Sequence, residues 1–192
     1  MSAASEQRDG LGRPVKLLDD AEGPMRFGNV FEIVHAETYS AVWAGADTNQ
    51  IETLTELVRN LKPPYGLVWV LLVPRGGTES GRYAKQPDLT HDEVCEFLRS
   101  HRDFFECDAR HAIWVGDEAG TFIVYDQHNW LHCYGPIAQH GRTLRELGFT
   151  DGTPELSVPH SHLFHAEFDE AERGVASAFE WHLSELRPGD DP

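Results

Sequence analysis

Apolar and polar residues alternate along FGNVFEIVHAETYSAVWAG, where Val30, Glu32 and Val34, and then Tyr39, Ala41 and Trp43, fall on a period of two. That spacing belongs to strands with one buried face, because successive side chains of a strand point to opposite sides. Two antiparallel strands are predicted. The period then lengthens: Ile51, Leu54, Leu57, Val58 and Leu61 recur at three and four, with Asp47 and Gln50 placed to cap the first turn of a helix that Lys62, Pro63 and Pro64 stop. GLVWVLLVP is an almost unbroken apolar run, the mark of a strand covered on both faces, and Pro74 closes it.

Residues 75–89 carry three glycines and no period, so a long loop is predicted. Thr90 and Glu93 form a capping-box pair ahead of a helix to about residue 106, with Val94, Phe97, Leu98, His101 and Phe105 on one stripe. HAIWVG, TFIVYD and WLHCYG follow as three short strands joined by GDEAG and QHN turns, a meander. A shorter helix is expected over 142–147, ended by Gly148, and a last one opens at Asp169 and Glu172 and carries Val175, Phe179, His182 and Leu186. Antiparallel groups with helices between them define an α+β class: a single domain with a mixed or mostly antiparallel sheet covered by helices. Its boundaries are read as 26–187, after a flexible lead-in of 1–25 with a short ordered piece near Val15 to Leu18, and before a disordered tail of 188–192.

Charge changes the picture most. The chain of 192 residues sets 32 Asp and Glu against 16 Lys and Arg, a formal charge of −16. Direct nucleic-acid binding is disfavoured, since phosphate recognition needs a positive footprint. Residues 151–192 hold ten acidic and two basic groups, a net of −8, and such a field attracts basic proteins. Three cysteines in no regular spacing argue against a disulfide framework and for a reducing cytoplasm. Neither the first residues nor the apolar run at 67–73 has the length of a signal peptide or a membrane span.

Candidate chemistry centres on SVPHSHLFHAEF, which places His160, His162 and His165 close together. In an extended segment His160 and His162 point to one side and can offer ring nitrogens to zinc or another transition metal, with Asp126 and His128 of YDQHN completing a His and carboxylate shell that activates water for hydrolysis. Eleven histidines yield roughly 0.6 such H-x-H pairs by chance, so spacing alone does not establish a site. Cys107 lies near Asp108 and His111, and Cys133 adjoins His132, but nearness in sequence does not build a nucleophile. The phosphate-binding glycine patterns and the serine-hydrolase elbow are absent from the sequence.

A strand over WLHCY would set Trp130, His132 and Tyr134 on one face and Leu131 and Cys133 on the other. From acidity and the lack of a catalytic signature the sequence favours a binder over an enzyme. The expectation is an acidic cytoplasmic binding protein, an inhibitor or immunity-type partner that neutralises a basic toxin or nuclease without cofactor or membrane. Trp130 and Tyr134 would anchor the partner and Glu167, Asp169, Glu170 and Glu172 would steer it. The alternative is a metal-dependent hydrolase built on His160, His162, Asp126 and His128.

Overall fold

A computed structural model describes residues 8–10, 12–21, 23–156 and 158–190. In chain order its elements are β1 (Leu17–Leu18), β2 (Val30–His35), β3 (Ser40–Gly45), α1 (Gln50–Val58), β4 (Tyr65–Leu71), β5 (Gly81–Leu89), α2 (His91–Ser100), α3 (Arg102–Cys107), β6 (His111–Asp117), β7 (Phe122–Tyr125), β8 (Trp130–Tyr134), α4 (Ile137–Glu146), β9 (Thr150–Asp151), β10 (Ser161–His162), α5 (Asp169–Ser177) and β11 (His182–Ser184). Nine strands form one sheet in the order β11-β5-β4-β6-β7-β8-β3-β2-β9, antiparallel except where β9 joins β2, while β1 and β10 make a separate two-stranded ribbon. The α+β class stands. Among the described residues no helix is long and apolar enough to cross a membrane.

Alternation decides which side of the sheet is covered. Ile113, Val115, Ile123, Tyr125, Leu131 and Cys133 are buried and meet the helices through Ile51, Leu54, Val94, Leu98 and Phe105. Their neighbours Trp114, Phe122, Val124, His132 and Tyr134 point the other way and are only half-buried. The registers align them: Trp114 stands opposite Val124, Val124 opposite His132, and Phe122 opposite Tyr134. One face is therefore core and the other is open.

Several local readings are corrected by long-range contacts. The loop expected over 75–89 is a strand from Gly81 onward, paired to β4 on one side and β11 on the other. Its polar residues hid it. Helix α1 takes no side-chain cap; Asn49 precedes it in the left-handed region, Asp47 instead accepts from the N–H groups of Phe27 and Gly28, and Glu106 of α3 accepts from Ile51 N at 3.0 Å. At α2 the capping box forms as read, Thr90 and Glu93 each bonding the other's backbone, but the helix breaks at His101 before α3. The helix read over 142–147 begins earlier, at Ile137. The last helix ends at Ser177, and His182 lies in β11.

The described parts of both expected end segments join the domain. Val15, Leu17 and Leu18 of the expected lead-in are buried, and so is Lys16. Asp190, assigned by sequence to a tail, forms an ion pair with Arg82 in which both side chains are almost wholly covered. Residues 1–7, 11, 22, 191 and 192 of those two segments lie outside the described residues.

Candidate functional site

The turn between β7 and β8 is organised by Asp126. Its Oδ1 accepts from the backbone N–H of His128 at 2.8 Å and of Trp130 at 2.9 Å, a local bonding pattern that aspartate favours in turns. Asn129 closes the turn in the left-handed region at φ 63°, where asparagine is tolerated. Buried Lys16 secures the same turn from below by donating to the carbonyls of Asp126 at 2.9 Å and Phe105 at 3.1 Å. Desolvation pulls its ammonium down to about 8, against the attraction of Asp126 and Asp108.

Lys16 leads directly into β1, and β1 pairs with β10 so that Leu17 faces His162. Further bonds hold the histidine segment: Leu163 N donates to Lys16 O at 2.9 Å, Ala109 N to Leu163 O at 3.0 Å, and His165 N to Asp108 Oδ2 at 2.7 Å. By these contacts a segment distant in sequence is laid beside the β7–β8 turn. His128, His160 and His162 converge, with ring centroids 5.3 Å (128 to 160), 4.9 Å (128 to 162) and 5.1 Å (160 to 162) apart. One nitrogen from each lies within 4.8 Å of the others. Nitrogens bound to one tetrahedral zinc at 2.0–2.1 Å are about 3.3–3.5 Å apart, so shifts under about 1 Å per ring would close the site.

Of the sequence triplet, His162 lies in β10 and its ring centroid is 5.1 Å from that of His160. His165 stands apart, bonding Val15 O at 2.8 Å through Nε2. Asp126 is not one of the three converging groups: its Oδ2 faces His128 Nδ1 at 3.4 Å and His132 Nε2 at 3.1 Å, behind the imidazoles rather than among them. A carboxylate on Nδ1 favours the tautomer that leaves Nε2 of His128 as the ligating atom.

Protonation suits ligation. Burial, then the proximity of His128 and His160, pulls His162 down to about 4, so its ring is neutral at neutral pH. Its Nε2 is shielded from solvent and has no hydrogen-bond partner among the described residues. Burial opposes ionisation of Asp126, but the bonds from His128 and His132 outweigh it and hold the carboxyl below the usual range.

Beside the cluster the open sheet face forms a cavity of about 460 Å³, lined by Val70, Ala112, Trp114, Phe122, Val124 and Tyr134 together with Asp126, Gln127, His128, His132, Gly189 and Asp190. That volume falls in the range of small-molecule sites, about 300–1,000 Å³. His132 was visible in the sequence as one member of an alternating face and as the neighbour of Cys133; what distinguishes it is Asp126, which faces it within this cavity.

The residues expected to bind a partner are placed as follows. Trp130 packs edge-on to Phe27 at 6.0 Å and near Trp43 at 6.4 Å, and Tyr134 stacks on Phe122 at 4.7 Å; both are half-buried. Glu170 is exposed, and Glu167 pairs with Arg8 at 3.0 Å. Asp169 pairs with Arg110 at 3.0 Å and Arg75 at 3.3 Å. Glu172 is not a surface charge: it is fully buried, 2.7 Å from Arg110, and accepts from Arg75 N and Gly76 N. The three cysteines are buried. Cys133 faces the core, opposite His132, and burial pushes its thiol far up, while Cys107 is pushed to about 12 by the same cause. No family model, curated protein or solved structure matches this chain.

Proposed function

We propose that the protein is a metal-dependent hydrolase whose cation is held by His128, His160 and His162 at the end of the open-face cavity. The supporting observation is that three imidazoles from two distant segments place their nitrogens within 4.8 Å of one another, next to a cavity large enough for a small substrate. Three imidazole nitrogens with room for a further ligand suit zinc or a similar divalent transition metal. A cation held by these three imidazoles would activate water for attack and polarise a carbonyl.

The chain's own groups supply the rest. Asp126 orients His128 and His132 through one oxygen, and His132, lining the cavity, is placed to accept the proton that water releases. In ester hydrolysis the water oxygen bonds to the acyl carbon, the bond to the leaving oxygen breaks, and the proton held by His132 passes to that leaving group. The steering role for Glu167, Asp169 and Glu172 is weakened by their internal ion pairs, and the basic-partner reading retains mainly the formal charge.

Elemental analysis of protein purified without an affinity tag tests the proposal. One equivalent of a transition metal, lost in His160→Ala along with esterase activity that zinc restores only to the parent, is the expected result. Absence of metal in the parent, together with failure to take up zinc on dialysis, would refute it.

A further inference from the structure

The cavity beside the histidines has a chemistry of its own. Its floor is a row of rings on adjacent strands: Trp114 and Phe122 stack at 5.4 Å with 9° between planes, and Phe122 and Tyr134 at 4.7 Å with 29°. Flat apolar groups are favoured by such a row, since offset stacking adds to area burial. Its charges are carboxylates, Asp126 and Asp190, and no Lys or Arg lines it among the described residues. Arg82 reaches the edge of the row, 4.7 Å over the Trp114 ring, but Asp190 already pairs with it.

An anionic ligand would therefore enter a space with no uncommitted side-chain cation, on a chain whose formal charge is −16. A cationic ligand would meet repulsion from a metal at His128. We infer that the cavity is the substrate pocket for an uncharged compound with a flat aromatic or otherwise apolar body, whose hydrolysable group reaches the His128 end, and that anionic esters, phosphate esters among them, are excluded. The catalytic half of this inference and the exclusion of cations rest on the three-imidazole metal site; the preference for a flat apolar body over an anion rests on the sheet face.

An isosteric pair of probes separates the two. Binding of neutral 2-acetylnaphthalene and anionic 2-naphthoate is measured by quenching of tryptophan fluorescence on the full chain, both zinc-loaded and chelator-treated. The ketone is expected to bind saturably in both forms, and in the chelator-treated form at least tenfold more tightly than naphthoate. Val124→Trp, which adds bulk to the cavity from a half-buried outward position, is expected to weaken the ketone at least tenfold while leaving the zinc stoichiometry intact. Asp190→Asn, which frees Arg82, is expected to improve naphthoate at least fivefold.

Equal or tighter binding of naphthoate by the parent overturns the inference, as does ketone binding that Val124→Trp leaves unchanged in a variant that melts like the parent. Failure of the ketone to bind at all does the same. Ketone binding in a chain that takes up no zinc upholds the preference for a flat neutral body over an anion and removes the hydrolase reading and the exclusion of cations instead.

Discussion

Replacing Asp126 by Asn isolates the link between the turn and the metal site. The amide is nearly isosteric, and its oxygen can still accept from the N–H groups of His128 and Trp130, now at 2.8 and 2.9 Å from Oδ1, so the turn survives. The other position becomes an NH₂ group, a donor in place of the acceptor that faces His128 Nδ1 at 3.4 Å and His132 Nε2 at 3.1 Å. His128 must then present Nδ1 as an acceptor, which moves its proton to Nε2, the atom required for the metal. Loss of such a supporting carboxylate lowers metal affinity by about 10- to 100-fold, or about 1.4–2.7 kcal/mol. Competition for zinc against a chromophoric chelator near neutral pH measures it, with thermal melting of the metal-free forms as the control. Unchanged zinc affinity would refute the orienting role. A large fall in the melting temperature of the metal-free variant would show that Asp126 acts on the fold instead.

Two further outcomes concern stability. Arg110→Met leaves the carboxylates of Asp108 and Glu172 buried without their guanidinium, 2.7 Å away in each case; a loss of about 3–5 kcal/mol is expected from urea unfolding, and a loss below about 1 kcal/mol would contradict the assigned burial. His140 is buried, and desolvation pulls it down from 6.5 to about 4. Below 6.5 the unfolded chain takes up a proton that the folded chain refuses, so this group's contribution is complete above 6.5 and is lost as the pH falls toward 4, by up to about 3 kcal/mol. Unfolding free energies of the parent and His140→Gln at pH 7 and pH 4 check it: the parent should lose more by that margin, and parallel losses would contradict it.

The open face explains why the cavity was half legible. The strand period in WLHCY identified which of its residues share a side, and the register sets Phe122 of β7 against Tyr134 on that side. Whether helices cover that side is a tertiary matter, because both faces of a strand look alike when Trp, Phe and Tyr occupy the outward positions. Strand β5 was missed for the opposite reason. Its sequence, GRYAKQPDL, has too few apolar residues to show a period, and its pairing with β4 and β11 holds it in the sheet.

By itself the sequence determined the α+β class, the central meander, the capping box at Thr90 and the shared side of His160 and His162, all properties of backbone periodicity and of bonds spanning a few residues. Only the tertiary structure decided that His128 joins them, that Asp126 stands behind rather than among the imidazoles, and that Glu172 is enclosed by Arg110 and the 75–76 backbone. The physical reason is long-range contact: β1, tied to the β7–β8 turn by buried Lys16, carries the histidine segment to His128, and Arg110 reaches across to α5 to enclose Glu172. Local spacing says which way a side chain points along its own strand; what it points at depends on contacts that close long loops.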